Sequence, residues 1–351
     1  MRSTICNLAC TVMVGALAGP VTTCAGAELP KTANAQVTTE SGAKGLKVVL
    51  DGLKGGGQPV WVGYSEPVLD RFSDRWTSEH VTYLEGDRRE AGEDRGRGTG
   101  ERREFDHANV LLRVAGGAVE KVRLEAPDRA LDAGGMPLVW LNAVSAEDSV
   151  RAMAEMVKGA EARGVREGAL LALAVNASPA ATAALVEMTG TGHEEWIREK
   201  AAFWLASQRG HEGFVALQRL AHADADERFR EKLTFDMTVT KDPAAVGELV
   251  RMAHEDASPR VRRQAQFWMA TKGGKKVAAD LHGAAENDAD AGVRNAAVFA
   301  ISRLPKDEAA TQLIALADTS KDPAVRRQAV FWLGQSNDPR ALEYLTRLLN
   351  R

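Results

Sequence analysis

The C-terminal half of the chain repeats every 32 residues, and this repeat constrains the fold more than any other feature. The segment VRRQAVFWLGQ, which starts at Val325, returns as VRRQAQFWMAT from Val261, and related copies start at residues 165, 197, 229 and 293. An arginine takes the second place in all six copies: Arg166, Arg198, Arg230, Arg262, Arg294 and Arg326. A fixed period of this length is typical of proteins that stack one small structural unit on the next.

A second apolar register lies about half a period away, so each unit contains two helices. Leucine or methionine recurs every 32 residues from Met153 to Leu345, and a second, mostly apolar position follows three residues later. Such an i, i+3 pair marks one face of a helix. Pairs such as Asp322-Pro323 open several of these helices as N-cap and first helical residue. The pattern predicts six helix pairs, A then B in each unit, and a last unpaired A helix.

This unit resembles the HEAT repeat, in the short bacterial form named after phycobilisome lyase subunits. Residues 322–349 carry the Asp-Pro, Val-Arg, Ala, Leu-Gly and Asp-Pro-Arg-Ala-Leu marks of that family. The resemblance covers roughly residues 145–351. It implies a mostly α chain with a right-handed α-solenoid of about six and a half units, whose B helices line the concave face.

The resemblance also implies a ladder of ion pairs along the stack. In three units an aspartate stands six residues before the repeat arginine, and the family pattern pairs the two. The expected pairs are Asp224 with Arg230, Asp256 with Arg262, and Asp288 with Arg294. Ser320, Gly192 and Ala160 take the place of the aspartate in other units, so we expect looser end units.

The B helices carry phenylalanine on a face where a soluble helix usually carries polar residues. The position holds Leu171 in the first unit and then Phe203, Phe235, Phe267, Phe299 and Phe331. A neighbouring, mostly polar position includes Lys200, Lys232, Gln264 and Gln328. On a concave B-helix face, these rings would form an apolar ladder along a polar-rimmed groove, which normally marks a binding surface.

The alternative is that each phenylalanine fills the seam between successive B helices, since solenoid seams need filling. The residues that follow the phenylalanines in every second unit are Trp204, Trp268 and Trp332. On a helical wheel these tryptophans lie near the buried stripe, so we expect them to pack in the core. The sequence leaves open whether the phenylalanine ladder is exposed or packed.

Residues 1–27 have the layout of a secretory signal peptide, with an early arginine, a short apolar run, Pro20 and then small residues. All three cysteines lie in this segment: Cys6, Cys10 and Cys24. We therefore expect an exported, periplasmic or extracellular protein whose mature chain has neither a disulfide nor a thiol nucleophile. Lipid anchoring through Cys24 is the alternative to simple cleavage.

Between this leader and the repeats, the sequence predicts a small β-rich domain over residues 44–135. Residues 28–43 are rich in Thr, Ala and Ser and predict a flexible lead. Residues 136–144 are expected to connect the β-rich domain to the solenoid at 145–351, with Trp140 and Leu141 covering its open end.

The β-rich domain shows strand-like segments at 45–50, 59–64 and 80–84. A hairpin is predicted over residues 109–126, with its turn at Gly116-Gly117. The highly charged residues 85–107 predict a solvated loop, because acidic and basic side chains alternate there with almost nothing apolar.

No catalytic signature stands out. The chain lacks a Gly-x-Ser-x-Gly elbow, a His-Glu-x-x-His zinc motif and a phosphate-binding loop. His222 and His254, one period apart, allow a metal-site hypothesis, but polar residues at helix ends that face water explain them better. With 45 basic and 48 acidic residues, the chain has no basic footprint for nucleic acid.

We therefore predict a non-enzymatic scaffold or adaptor in the cell envelope, without cofactor or metal, that binds a protein or peptide on the concave B-helix face. The alternatives are an accessory subunit of an envelope enzyme and a structural protein that self-associates through its last helix. The identity of the partner, the oligomeric state and the role of the β-rich domain stay open.

Overall fold

The computed structural model describes residues 29–74, 81–85 and 103–350. These residues form a six-stranded sheet with one helix beside it, followed by an array of thirteen α-helices. The predicted signal peptide with its cysteines, and residues 86–102 of the charged loop, lie outside the described residues. Within the described ranges, every helix is too short or too polar to cross a membrane.

The sheet is mixed, and its strands run in the order β1-β6-β2-β4-β5, with β3 also paired to β6. β1, β2 and β3 run parallel to β6, whereas β2, β4 and β5 form an antiparallel meander. The strands are β1 Thr32–Ser41, β2 Val60–Asp74, β3 Val81–Tyr83, β4 Arg103–Ala115, β5 Ala118–Glu125 and β6 Ala130–Asn142.

The β4–β5 hairpin turns at Gly116 and Gly117, as the sequence predicted. Their φ angles are +58° and +81°, which a two-residue hairpin turn of this kind requires and which glycine adopts without a steric penalty. The predicted strands at 59–64 and 80–84 correspond to the start of β2 and to β3.

Three expectations for the N-terminal region were wrong. Residues 28–43 are not a flexible lead, because Thr32–Ser41 forms β1 and pairs with β6. Residues 45–50 are not a strand but the start of helix α1, Leu46–Lys54. Residues 136–144 are not a simple connector, because most of them continue β6.

The physical reason for the wrong prediction is different for β1 and for α1. β1 is rich in threonine, which favours strands once a neighbouring strand is available, and that neighbour lies about 100 residues away. In α1, the buried residues Leu46, Val49 and Leu50 lie on one helical face, so spacing outweighs the β-branched content of the segment.

The two faces of the sheet contribute to two separate cores. Val62, Tyr64 and Leu141 belong to a core that continues through the whole helical array as far as Tyr344. Trp61 and Trp140 lie in a second core on the opposite face. Successive side chains of a strand point to opposite faces, so Leu141 contacts the solenoid core as expected, whereas Trp140 does not.

The array contains six A–B helix pairs and one further A helix, as predicted. The A helices are α2 Ala146–Gly159, α4 Pro179–Met188, α6 Gly210–Ala223, α8 Ala245–Glu255, α10 Ala278–Asn287, α12 Lys306–Thr319 and α14 Pro339–Leu349. The B helices, called the B row below, are α3 Arg163–Val175, α5 Glu195–Gln208, α7 Glu227–Val239, α9 Pro259–Gly273, α11 Ala291–Ser302 and α13 Pro323–Gly334.

Successive B helices pack against each other more extensively than successive A helices do. A stack whose two rows are packed unequally bends toward the row with the closer packing. The B row therefore lines the inner side of the array, which is the surface that the phenylalanine column occupies.

The repeat arginines join neighbouring units, but the predicted pairing within each unit was wrong. Arg230 Nε and Nη2 each donate to the Asp256 carboxylate at 2.9 Å, and Arg262 donates in the same way to Asp288 at 2.8 and 3.0 Å. The partner is thus the aspartate of the following unit. Within its own unit, Arg230 contacts Asp224 through the backbone: Nη1 donates to the Asp224 carbonyl oxygen at 2.8 Å.

The geometry of the guanidinium explains this arrangement. Its planar fork can serve a carboxylate with two N–H groups while a third group bonds a carbonyl on another side. At the ends of the array the ladder uses other acids: Arg166 pairs with Glu194 at 2.6 Å, and Arg294 with Asp322 at 2.9 Å. Arg326 donates to the Ser320 carbonyl at 2.6 Å.

A buried polar cluster joins the sheet to the first helix pair. The Tyr64 hydroxyl lies 2.7 Å from Ser149 Oγ, and the Glu66 carboxylate accepts from Ser149 Oγ at 2.6 Å and from Asn176 Nδ2 at 2.9 Å. Glu66 is 2% exposed, and its Oε1 has no hydrogen-bond partner. The Ala177 N–H donates to the Pro67 carbonyl at 2.9 Å, which adds a main-chain contact across the same junction.

We expect Arg262→Lys to lower the free energy of unfolding by about 2 kcal/mol, because lysine cannot donate to Asp288 and to the Asp256 carbonyl at once. Arg326→Lys is the matched control, since no carboxylate partner of Arg326 occurs within the described residues, and it should cost less than about 1 kcal/mol. Urea unfolding followed by circular dichroism measures both. Equal losses in the two variants would show that the carboxylate pairing contributes little.

Stability should also depend on pH through Glu66. Burial raises the pKa of Glu66 from 4.5 to about 7, although Ser149 and Asn176 donate hydrogen bonds that oppose the shift. Between these values the folded chain keeps a proton that the unfolded chain releases, so this stabilisation is complete at low pH and is lost as the pH rises toward 7.

As the pH rises from 4.5 to about 7, we expect wild type to lose about 3 kcal/mol in free energy of unfolding through this group. Glu66→Gln should show no such loss, because glutamine does not titrate. The measurement is the difference in free energy of unfolding between wild type and variant, taken at several pH values. A difference that stays constant across this range would show that Glu66 is not protonated in the folded protein.

Candidate functional site

Six aromatic rings form a continuous strip along the inner side of the array. The ring centroids of Phe267 and Phe299 are 6.2 Å apart, with their planes 6° from parallel. Trp268 lies 5.2 Å from Phe235 and 4.8 Å from Phe267. Trp332 lies 5.2 Å from Phe299 and 5.0 Å from Phe331. We call these residues the aromatic strip: Phe235, Phe267, Trp268, Phe299, Phe331 and Trp332.

The phenylalanines are neither free nor sealed in the seams. Phe235 is 41% exposed and Phe331 54% exposed, while Phe203, Phe267 and Phe299 are half-buried. The two sequence-based alternatives therefore both hold in part. One side of each ring packs against its neighbours, and the remaining side is open to solvent.

The three tryptophans pack against the core, as predicted, but they are not fully buried in it. Trp204, Trp268 and Trp332 are half-buried and pack against the edge of the core rather than lying inside it. Each also makes an edge contact with the phenylalanine that precedes it. An indole is large enough to contact the core on one side and the strip on the other, which helical-wheel reasoning did not anticipate.

Polar side chains flank the strip, as the spacing of the B helices requires. Lys200 and Lys232 are exposed and lie toward its N-terminal end, whereas Gln264 and Gln328 are half-buried and lie further along. Lys232 Nζ is 3.7 Å from a carboxylate oxygen of Glu199 on α5. These groups can donate to backbone or side-chain oxygens of a bound chain.

One residue of this surface escaped the sequence-based reasoning. Asp236 follows Phe235 on α7 and is 5% exposed. Burial raises the pKa of the Asp236 carboxyl to about 8, with a further increase from Glu199 and an opposing effect from Lys232. An alignment of the six repeats would have identified this residue, because Asp236 stands where the other units have tryptophan or alanine.

A separate cavity lies where the sheet meets the first helix pair. Its volume is about 570 Å³, and Leu50, Met156 and Val165 form part of its apolar lining. Glu155 and Glu161 also line it. Nothing in the sequence indicated this cavity, because its walls come from α1, β5, α2 and α3, which only the tertiary fold brings together.

The described residues hold no cluster of three or more acidic, histidine or cysteine side chains placed to bind a metal ion. The two histidines that share a repeat position contact acids of the next A helix rather than each other. His222 Nε2 lies 3.3 Å from Glu248, and His254 Nε2 lies 3.9 Å from Asp280.

The family model of HEAT repeats matches residues 278–351. No curated protein matches the chain. Among solved structures, the chain is similar to the complex of CpcE and CpcF of phycocyanin lyase from a Nostoc species. The identity is 23% over 44% of this chain and 99% of that chain, with a TM-score of 0.32.

Two further solved structures show a comparable likeness. Human deoxyhypusine hydroxylase in complex with glycerol is 14% identical over 57% of this chain and 90% of that chain, with a TM-score of 0.31. The YibA protein of Escherichia coli is 19% identical over 59% of this chain and 79% of that chain, with a TM-score of 0.35.

The family match covers the last two and a half units of the array. The arginine, the apolar pair and the phenylalanine recur at the same 32-residue spacing in the units before it. Residues 278–351 therefore match HEAT repeats, and the helix pairs before them continue the same 32-residue pattern as a HEAT-like α-solenoid.

Proposed function

We propose that this protein is a non-enzymatic scaffold or adaptor of the cell envelope that binds a protein or an extended peptide along the aromatic strip. The observation that carries the proposal is the half-exposed run of aromatic rings on the inner side of the array. HEAT-repeat solenoids are commonly used for protein binding, and their curved inner surfaces suit an extended partner.

The strip has the composition of a protein interface. Aromatic side chains bury a large area at a low cost in conformational entropy, so they are enriched among the residues that dominate binding energy. The half-buried rings are already held in place by their neighbours, so binding immobilises few additional groups. Contact with a partner would cover the exposed part of Phe235 and Phe331.

The flanking groups would supply orientation. Gln264 and Gln328 can donate to and accept from a peptide backbone, and the lysines can meet carboxylates of the partner. A rim of this kind around an apolar centre gives register and specificity more than affinity.

The envelope location is supported by the leader-like residues 1–27. N-terminal sequencing of the protein recovered from cells should give a chain that begins at Glu28. A chain that begins at Met1 in the cytoplasmic fraction would contradict the proposed location.

The binding surface is tested by affinity capture from envelope extracts and quantitative mass spectrometry. We expect Phe235→Ser with Phe331→Ser to reduce capture of a partner at least about tenfold, because these are the most exposed rings of the strip. The matched control is Val186→Ser with Leu342→Ser, which removes exposed apolar side chains from A helices and should leave capture unchanged. Equal capture by wild type and both variants would refute the proposed surface.

A further inference from the structure

The cavity beside the first helix pair lies at a seam that the repeat leaves unfilled. In later units, two positions of the loop between the A and B helices accept the repeat arginine of the preceding unit. Asp224 and Asp226 hold these positions in the third unit, and Arg198 donates to them at 2.6 and 3.4 Å. The first unit has Ala160 and Ala162 instead, and both line the cavity. The cavity therefore lies where an arginine of a preceding unit would be held.

Within the described residues, no helix pair precedes the first unit, and the sheet and α1 stand in its place. Leu50 of α1 and Val119 of β5 line the cavity from this side, and Met156 and Val165 line it from the first helix pair. The volume of about 570 Å³ falls within the range of about 300 to 1,000 Å³ that small-molecule sites have. The cavity can thus take a small organic molecule with an apolar body.

Acidic side chains are in excess around this cavity. Lys47 is the one basic residue among the described residues that line it, and its Nζ donates to Asp51 at 2.8 Å. The same ammonium group also interacts with Glu155 at longer range. Glu120 is paired with Arg113 of β4. One lysine therefore serves two acids, and a third acid has its own partner.

The carboxylates of Glu155 and Glu161 have no direct partner. Within the described residues, neither makes a hydrogen bond or an ion pair, and both side chains are exposed beside the apolar lining. The basic residues closest to them in sequence, Lys158 and Arg163, pair with other glutamates at 2.5 and 2.9 Å. The cavity thus combines an apolar interior with two unpaired carboxylates at its rim.

We propose that this cavity binds a small organic cation, an ammonium or guanidinium group carried on an apolar body. The body packs against Leu50, Met156 and Val165, and the cation donates charge-assisted hydrogen bonds to Glu155 and Glu161. The charged group takes the place that the repeat arginine has in later seams. The cavity is larger than one arginine side chain, so a free molecule fits it better than a side chain of a protein partner. This site is separate from the aromatic strip.

Three probes of similar shape separate the effect of charge from apolar burial: cationic 4-phenylbutylammonium, neutral 4-phenylbutanol and anionic 5-phenylpentanoate. Their binding to the full chain is measured by titrations followed with saturation-transfer NMR at neutral pH. We expect the ammonium probe to bind at least about tenfold more tightly than the alcohol, because hydrogen bonds to an ionised group are stronger than neutral ones. Equal affinities for these two probes, or tighter binding of the carboxylate, would refute the cation site.

Removing the two unpaired charges tests the residues that hold the cation. Glu155→Gln with Glu161→Gln should weaken binding of the ammonium probe at least about tenfold and change binding of the alcohol less than about twofold, because glutamine keeps the size but lacks the charge. The matched control is Glu40→Gln with Glu343→Gln, which removes two exposed glutamates that do not line the cavity. Equal weakening in both variants would overturn the site, since net charge alone would then explain the preference.

Filling the cavity tests the location. Gly159 lines the cavity, and the space around its Cβ position is open, so a side chain can be added there. Gly159→Trp should abolish binding of the ammonium and the alcohol alike. Gly247→Trp on α8 is the matched control, because its surroundings are equally open and it lies away from the cavity. Wild-type affinity in Gly159→Trp would contradict the proposed location. Thermal unfolding by circular dichroism shows whether each variant folds, and the comparison of probes needs wild type alone.

An arginine of a protein partner offers the same charged group, and the peptide acetyl-Ala-Ala-Arg-Ala-Ala-amide represents this source. We expect the peptide to bind at least about tenfold more weakly than 4-phenylbutylammonium, because it lacks the apolar body. If the peptide binds more tightly, the cavity receives a side chain of a partner, and the proposed small-molecule ligand is wrong. Neither outcome affects the aromatic strip, which affinity capture tests separately.

Discussion

The first five helix pairs of this solenoid are each tied to the next by a repeat arginine that bonds to both. Arg262 donates to the Asp256 carbonyl of its own unit and to the Asp288 carboxylate of the next unit. These bonds are directional, so they set the distance and rotation between units as well as their attraction. Hydrophobic burial has no preferred direction, so it does not by itself fix how one unit is placed on the next. The arginine ladder supplies this register.

The aromatic strip depends on that register. Phe267 and Phe299 stack with nearly parallel planes because one step of the repeat brings equivalent residues of α9 and α11 into contact. A strip of this kind cannot form on a single helix, and it is half-exposed because only its sides are covered by the neighbouring units. The surface proposed for binding is thus a product of stacking, as the core is.

Two buried carboxyl groups mark the places where the structure departs from its own period. Glu66 lies where the sheet replaces a preceding unit, and Asp236 lies where an acid replaces the tryptophan or alanine of other units. Burial raises the pKa of both groups into the neutral range. Glu66 accepts hydrogen bonds from Ser149 and Asn176 at the junction, whereas Asp236 lies on the B row, with Glu199 and Lys232 as the charged groups that act on it.

The sequence predicted the period, the helix pairs, the repeat arginines and the phenylalanine column, because each is a local pattern that recurs in five or six units. The sequence could not predict the strand β1, whose partner β6 is distant, or the helix α1, whose first apolar residues fit either period. Tertiary structure decided the direction of the arginine pairs, the exposure of the rings and the burial of Asp236. Each depends on contacts between neighbouring units, and a periodic sequence specifies which residues are equivalent but not which neighbour each one contacts.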